Sequence, residues 1–491
     1  ADHYAKQLEE QGAVMASFAH RHAEISRQLQ HAAAQQGLTP IDDDALLDEV
    51  TALVERPNVL LCQFEPEFLD VPQECLILTM KANQKYFPLL DAAGKLTNKF
   101  LIVSNIRPED PSRVIEGNER VVRPRLADAK FFFDQDRKKT LESRVAGLDK
   151  VVYHGKLGTQ GERVQRVRAI ARLIGEQLGG LALRDSADQA AHLAKADLVT
   201  DMVGEFPELQ GVMGGYYAKH DGVPDAVAVA IEDHYKPRFA GDQLPRNDVG
   251  VVVALADKLE TLAGMFGIGQ LPTGDKDPFA LRRHALGVVR MLVERSLPLQ
   301  YHQLTRSALG VFAPGLLEDR SVELDEFLIE RLKSYFKDEG YSAAEVDAAI
   351  YARKLGAWAT IPKRLDAVRA FALLPEAAAL AAANKRIGNI LKKSEGAGEA
   401  KVSNALLKEP AEVALHDALT NIAPQAEQAF ERGDYAASLQ ALAALKTPVD
   451  TFFDKVMVNA EDPALRANRL GLLAQLHAAM NRVADLSKLA T

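Results

Sequence analysis

The sequence contains very little cysteine and no long apolar segment. Its 491 residues include only Cys62 and Cys75. These do not form a C-x-x-C pair, which excludes a disulfide framework, a zinc ribbon and thioredoxin chemistry. No apolar run approaches the roughly 18 residues that a membrane helix needs, and the polar start ADHYAKQLEE lacks the pattern of a secretory signal. We therefore expect a cytoplasmic protein without a membrane span.

The sequence also lacks the common motifs of self-contained nucleotide-using and hydrolytic enzymes. It has no G-x-x-x-x-G-K-[ST] loop and no G-x-G-x-x-G following a strand, so the usual phosphate cradles are missing. It contains neither an H-E-x-x-H helix nor a G-x-S-x-G elbow. We therefore assign no catalytic residue and no metal ligand to this chain, and we expect a supporting role in a reaction that a partner catalyses.

Positive charge is scarce over the chain as a whole. With 59 Lys and Arg against 68 Asp and Glu, the net charge is −9. This argues against a protein that coats nucleic acid indiscriminately, because phosphate binding depends on basic surface. Local basic patches remain compatible with this balance. The chain also begins without methionine, and we expect an N-terminal truncation or processing.

The hydrophobic spacing predicts a mainly α-helical, multidomain protein with one small β-sheet. Residues 1–55 have helical spacing with a break at Gly37–Pro40, and they form a predicted helical arm. Residues 56–155 include the short runs NVLLCQF, ECLILTM, KYFPLLD and FLIVSNI, which predict a sheet with a turn at AAGK. Residues 156–300 and the predicted linker 301–373 are helical, and 374–491 form an Ala/Leu-rich helical bundle.

The first candidate site is a basic stretch within this acidic protein. Between Arg120 and Arg144, eight basic residues stand against four acidic ones, and Phe131–Phe133 lie among them. Arginine forks suit phosphate oxygens and aromatic faces can stack on bases, so the stretch could hold RNA. The alternative is that the phenylalanines are core and the charges a solvated helix face. The candidate RNA contacts are Arg120, Arg123, Arg125, Lys138 and Lys139.

The second candidate is a metal site of HD type, in which imidazoles and carboxylates would bind a cation and activate water. One alignment takes His192, His220, Asp221 and Asp257 in the order H…HD…D. However, His220 and Asp221 run directly into a Gly/Pro segment that is typical of a loop after a helix. This alignment corresponds to a metal-dependent phosphohydrolase, which we keep as the alternative function.

A second alignment of the same region follows the helices instead. It places Arg163 and Ala196 where two of the histidines would be, and leaves the degenerate positions Asp197, His234 and Asp257. Three scattered ligands beside an arginine make a poor cation site. We prefer this alignment, which predicts an HD-like helical scaffold without a metal.

The third candidate is the helix predicted over 377–393, AAALAAANKRIGNILKK. Leu380, Ala383, Ile387 and Leu391 recur at three- and four-residue spacing and are predicted to face a core. A cationic stripe lies opposite, and asparagine with lysine can contact base edges as well as phosphates. The alternative is an ordinary amphipathic helix with a solvated face. The candidate RNA contacts are Lys385, Arg386, Asn389, Lys392 and Lys393.

Seven longer motifs, in this order, resemble those of bacterial glycyl-tRNA synthetase β subunits. They are TMKANQKYFPLLD, GNERVVRPRLADAKFFFDQDRKK, EFPELQGVMGGYYA, TGDKDPFALRR, ANKRIGNILKK, FFDKVMV and RLGLLAQL. The resemblance covers essentially the whole chain, which is similar to the C-terminal two-thirds of the family's longer sequence. It implies an α₂β₂ glycine–tRNA ligase in which the α subunit holds glycine, ATP and Mg²⁺, while the β subunit recognises tRNA(Gly) and carries no cofactor of its own.

The resemblance also gives each predicted region an expected identity. It implies a B3/B4-like body at 56–155, an HD-like domain at 156–300 and a DALR-type anticodon-binding bundle at 374–491. The basic helix at 377–393 begins that bundle, so its cations become candidates for anticodon-arm contacts. Editing of mischarged tRNA by the B3/B4-like region is a further possibility, although the sequence shows no nucleophile or acid–base pair for it.

Overall fold

The computed structural model describes residues 2–351, 356–394 and 401–490. Most of these residues are helical, with a small antiparallel sheet near the N-terminus and a helical bundle at the C-terminus, as the sequence predicted. The helices of the first half are α1 (Asp2–Glu10), α2 (Phe18–Gln35), α3 (Asp44–Leu53), α4 (Gln73–Gln84), α5 (Ser112–Asp136), α6 (Leu141–Arg144), α7 (Gln160–Leu193), α8 (Asp201–Glu205), α9 (Val212–His220) and α10 (Asp225–Asp233).

In the described residues of the second half, the regular elements are helices joined by loops. Its helices are α11 (Asp248–Gly267), α12 (Leu281–Glu294), α13 (Tyr301–Gly310), α14 (Ser321–Asp338), α15 (Ala343–Ala349), α16 (Ile361–Ala372), α17 (Ala377–Lys393), α18 (Pro410–Glu431), α19 (Tyr435–Ala441), α20 (Lys446–Lys455) and α21 (Pro463–Met480). No helix in the described part of the chain is long and apolar enough to cross a membrane.

The chain divides into two compact units, and α7 contributes to both. The first unit comprises residues 1–154, 158–164 and 189–232, and the second comprises 155–157, 165–188 and 233–491. Helix α7 begins with a capping box in which Thr159 and Glu162 satisfy each other's backbone N–H groups. Its helical geometry is interrupted at Gly179 and Gly180, the latter with φ of 66°, so glycine permits the chain to change direction there.

The sheet of the first unit has four antiparallel strands in the order β1-β3-β4-β2. The strands are β1 (Thr39–Pro40), β2 (Asn58–Gln63), β3 (Phe87–Leu90) and β4 (Leu96–Ser104), and a separate ribbon pairs β5 (Val152–His154) with β6 (Gly158–Thr159). Helices α2 and α3 pack on the four-stranded sheet through Ile25, Leu29, Val50 and Leu101. The segment predicted as a helical arm therefore shares the core of the sheet, and its pattern did not predict β1.

One of the four predicted strands is wrong. The run ECLILTM lies in α4, whereas NVLLCQF, KYFPLLD and FLIVSNI supply β2, β3 and β4, and the predicted AAGK turn joins β3 to β4. In α4 the buried residues are Cys75, Leu76, Thr79 and Met80, which recur at helical spacing. The continuous apolar run concealed that spacing, because Ile77 and Leu78 are half-buried as well.

Candidate nucleic-acid interface

Helix α17 has the two faces that its sequence predicted. Leu380, Ala383 and Ile387 are buried, and Leu391 is half-buried. The predicted contact residues all lie on the exposed side, namely Lys385, Arg386, Asn389, Lys392 and Lys393. The alanine-rich first half favours the helix through its intrinsic propensity, so the apolar stripe fixes which side chains reach solvent.

The lysines of α17 are not neutralised by neighbouring acids. Lys385, Lys392 and Lys393 have no ion-pair partner among the described residues. Lys392 and Lys393 lie in the last turn, where positive charge also stabilises the carbonyl end of a helix. Lys385 lies two turns earlier and gains little from that effect, so its charge is available to an external anion.

The structure separates Arg386 from the other cations of α17. Its guanidinium lies 4.2 Å from the centre of the Phe453 ring, a cation–π contact within the second unit. Lys385, Asn389 and Lys392 instead line a groove of about 710 Å³. The adjacent pair Lys385 and Arg386 therefore serves two different surfaces.

The groove has a second wall that the sequence analysis did not single out. His477 of α21 and Lys488, in a 3₁₀ segment at Leu486–Leu489, line the groove together with α17. Lys488 is exposed and has no ionic partner among the described residues. Gly388 also lines the groove, and a Cβ atom added there would lie 3.4 Å from His477 Nε2. A helix-interior glycine costs stability relative to alanine, and at this position its missing side chain leaves the groove wider beside His477.

A buried amide pair holds α17 against the C-terminal segment. The side-chain nitrogen of Asn384 donates to Asn481 Oδ1 at 2.8 Å, and that of Asn481 donates to Asn384 Oδ1 at 2.9 Å. Asn481 also donates to the His477 carbonyl at 2.7 Å. Both amides are buried, so the loss of either one would leave the other without its hydrogen-bond partner and lower the stability of the fold. The pair therefore fixes the spacing of the two groove walls.

The basic stretch of the first unit is less available than its composition suggested. In α5 and the turn that follows, Arg123 pairs with Glu65 at 2.6 Å, and Asp134 binds both Lys130 and Arg137. Lys138 donates to Gln135 Oε1 at 3.0 Å. Arg120, Arg125 and Lys139 are exposed and have no ionic partner among the described residues, and Lys138 is exposed with only the neutral Gln135 as its partner.

The three phenylalanines of this stretch have different environments. Phe133 is buried and stacks on Tyr217, with ring centres 5.9 Å apart. Phe132 is half-buried, and Phe131 is 57% exposed. Core packing is therefore the role of Phe133, whereas Phe131 presents an aromatic surface to solvent on the same helix as Arg120.

The three degenerate HD positions, Asp197, His234 and Asp257, are all buried in the fold. Asp197 is fully buried, and its Oδ2 accepts the backbone N–H groups of Gly211 at 2.6 Å and Gly214 at 3.0 Å, at the start of α9. Burial raises the pKa of its carboxyl to about 6, against the lowering effect of these two hydrogen bonds. His234 is buried in the second unit with its ring 3.9 Å from that of Tyr235, and Asp257 is buried in α11.

The alternative histidine alignment does not assemble a cation site. His192 Nε2 lies 2.9 Å from Glu142 Oε1. His220 ends α9, and Asp221 accepts the Leu141 N–H at 2.8 Å, so this pair lies at the helix end where its context predicted a loop. In the described ranges, no group of three or more His, Cys, Asp and Glu side chains could hold a metal ion.

Known proteins of one family are similar to this chain over its whole length. The family model described as Glycyl-tRNA synthetase beta subunit matches residues 1–351, and that of the DALR anticodon binding domain matches 380–488. The Glycine--tRNA ligase beta subunits of Leptothrix cholodnii, Dechloromonas aromatica and Thiobacillus denitrificans are each 71% identical to this chain, over all of it and 70% of each relative. The chain therefore belongs to the glycyl-tRNA synthetase β-subunit family, and it is a subunit of glycine–tRNA ligase with a C-terminal anticodon-binding domain of DALR type.

Proposed function

We propose that this chain holds tRNA(Gly) through the groove at α17 while the partner α subunit carries out the ATP-dependent attachment of glycine. The observation that carries the proposal is that Lys385, Lys392 and Lys488, which have no ion-pair partner among the described residues, line one groove in which Asp485 is the single acidic residue of the described lining. This groove lies in the region that matches an anticodon-binding domain. The anticodon arm is accordingly the part of the tRNA that we place there.

The chemistry of the groove suits unpaired nucleotides. Lysine ammonium groups bind phosphates as point charges and release counterions. Between them, the exposed amide of Asn389 offers both a donor and an acceptor to a base edge. Gly388 carries no side chain, so the groove beside His477 is wider than a residue with a Cβ atom would leave it. Lys393 extends the positive face beyond the groove, and Arg386 would contact RNA only on the side of Phe453.

The exposed face of α5 is a second candidate contact with the tRNA. Arg120, Arg125 and Lys139 can reach phosphates without breaking an existing ion pair, and Phe131 can stack on a base. Arg123 would first have to leave Glu65, an exposed pair worth at most about 1 kcal/mol. To bind a phosphate, Lys138 would have to break only its hydrogen bond to the neutral Gln135. We therefore expect α5 to contribute less affinity than α17.

The remaining parts of the proposal concern the partner and the assembly. ATP and Mg²⁺ would bind to the α subunit, with no cofactor in this chain, in a cytoplasmic α₂β₂ heterotetramer. The B3/B4-like and HD-like identities of 56–155 and 156–300 belong to the same proposal, as does a metal-free HD-like scaffold at Asp197, His234 and Asp257. Support comes from the family membership and from the structural roles of these buried residues.

The test is tRNA(Gly) binding to the assembled ligase at several salt concentrations. Lys385→Glu with Lys392→Glu should weaken binding and make the slope of log K against log [salt] shallower by about 1.4, since each phosphate contact with a single strand contributes about 0.7. Lys408→Glu is the matched control, because Lys408 is exposed in the same region and does not line the groove. Equal effects of the double variant and the control would disprove the assignment of the groove.

A further inference from the structure

A second cationic feature of the C-terminal region is centred on Arg364 of α16. Its guanidinium donates to the Val483 carbonyl at 2.6 Å and to Thr360 Oγ1 at 3.3 Å, and it lies 4.9 Å from the centre of the Tyr435 ring. These partners are all neutral. Arg364 is half-buried and has no carboxylate partner within the described ranges, so its charge is compensated only by dipoles and an aromatic ring.

Arg364 lines a cavity of about 190 Å³ together with Arg482. Both guanidinium groups contact the Phe430 ring, Arg482 at 4.3 Å and Arg364 at 5.5 Å from its centre. Arg482 is paired with Glu427, which accepts hydrogen bonds from Nη2 at 2.8 Å and from Nε at 3.1 Å. The two arginines that line the cavity therefore have one carboxylate partner between them in the described residues, Glu427, which does not itself line the cavity.

An anion bound beside Arg364 would stabilise this arrangement. Removing an unpaired charge from water is costly, and burial lowers the pKa of Arg364, with Arg482 contributing in the same direction and Tyr435 opposing it. Since a water occupies roughly 30 Å³ of liquid volume, the cavity has room for a tetrahedral anion and some water. Planar guanidinium forks are well matched to phosphate oxygens.

The cavity adjoins the groove at α17. Tyr351 lines both spaces, as one of the residues around the 190 Å³ cavity and around the 710 Å³ groove. A nucleic-acid strand that leaves the groove beside Lys385 would therefore meet Arg364 next. This continuity favours a phosphodiester of the same strand over an unrelated small anion.

We propose that Arg364 and Arg482 form a phosphate site that holds one backbone phosphate of the tRNA next to the nucleotides in the α17 groove. The proposal rests on the proposed function, since it takes the same tRNA as its ligand. It adds a second contact point formed by α16 and the residues after α21, outside the cationic helix itself. It also assigns Glu427 a role as the internal competitor for Arg482.

The first experiment measures tRNA(Gly) binding to the assembled ligase as a function of salt. Arg364→Gln should reduce the salt slope by about 0.7, the contribution of one single-strand phosphate. Glu427→Gln should free Arg482 and tighten binding about twofold to fivefold, the range expected from an exposed ion pair. The matched controls are Arg432→Gln and Glu431→Gln, exposed residues near the end of α18 that do not line the cavity.

Each outcome decides the proposal. An unchanged slope for Arg364→Gln, or equal effects of Glu427→Gln and Glu431→Gln, would overturn it. Because Glu427 is on the surface, its variant gives an answer even if Arg364→Gln does not fold. If Lys385→Glu with Lys392→Glu abolishes binding while the Arg364 and Glu427 variants have no effect, the phosphate site fails and the proposed function stands. If only the Arg364 and Glu427 variants alter binding, the α17 groove fails instead.

A second arm identifies the source of the phosphate. The thermal unfolding midpoint of the ligase is measured in inorganic phosphate and in chloride at equal ionic strength, for the native protein and for Arg364→Gln. Stabilisation by phosphate that requires Arg364, together with the reduced tRNA slope, supports the proposal. Stabilisation by phosphate with an unchanged tRNA slope would mean that the site takes a free anion, and this would contradict the assignment to tRNA.

Discussion

Replacement of Gly388 by alanine should separate the stability of α17 from its RNA binding. Gly388 lies in the interior of α17 and lines the groove between Lys385 and His477. An added Cβ would lie 3.4 Å from His477 Nε2, which is an ordinary van der Waals distance. The substitution therefore introduces no steric strain in the free protein, but it raises the floor of the groove.

The two expected effects have opposite signs. Alanine stabilises a helix interior by about 0.5–1 kcal/mol relative to glycine, so the helix should become more resistant to opening. The new methyl group would narrow the groove beside His477, so a nucleotide bound in the groove would be displaced. Since base stacking contributes about 1–3 kcal/mol per base, the Kd for tRNA(Gly) should rise by about 5-fold to 150-fold.

The assay combines hydrogen exchange in α17 with tRNA binding at fixed salt. Gly388→Ala should slow amide exchange across α17 and weaken binding. The matched control is Ala382→Gly, an exposed position on the same helix outside the groove, which should speed exchange and leave binding unchanged. Native affinity in a Gly388→Ala protein with slowed exchange would refute the reasoning that a nucleotide occupies this groove.

Two further predictions concern buried carboxylates of the first unit. The pKa of Asp197 is raised from 3.8 to about 6, so the stability it contributes is present below about pH 4 and lost as pH rises through 6, a difference of up to about 3 kcal/mol. In Asp197→Asn the side-chain oxygen can still accept the N–H groups of Gly211 and Gly214. The urea unfolding midpoint, which should fall between about pH 4.5 and pH 7.5 in the native protein, should therefore fall less in this variant. An equal fall in both proteins would contradict this. Asp136 accepts hydrogen bonds from the Tyr217 hydroxyl at 2.6 Å and from the Met202 N–H at 3.0 Å. Asp136→Ala should therefore lower the free energy of unfolding, measured in urea, by about 3–5 kcal/mol. A loss below about 1 kcal/mol would show that these donors find other acceptors.

The exposed face of α17 could be predicted because it depends on local periodicity. Leu380, Ala383 and Ile387 recur at helical spacing, and this alone places Lys385 and Asn389 on the opposite side. The same argument failed for ECLILTM, where apolar residues fill both the buried and the half-buried positions of α4. Without alternation or a helical gap, a run of that length does not distinguish a strand from a helix.

The other wall of the groove and the Arg364 cavity could not be predicted from spacing. Residues 364, 430 and 482 come together only through the packing of α16, α18 and the segment after α21. Nothing in their local sequence indicates that Arg364 lacks a carboxylate partner. For the same reason, composition could not show that Arg123 is paired with Glu65 while Arg120 remains available, since the two partners are 58 positions apart.

Steady-state glycylation by the assembled ligase tests the central claim most directly. Lys385→Glu with Lys392→Glu should raise the KM for tRNA(Gly) at least about tenfold, the effect of losing roughly 1.4 kcal/mol of binding. It should leave glycine-dependent ATP–pyrophosphate exchange, measured without tRNA, at the native rate, because we assign that step to the partner subunit in the proposed function. A native KM for tRNA(Gly), or a loss of pyrophosphate exchange in a correctly folded complex, would contradict the account.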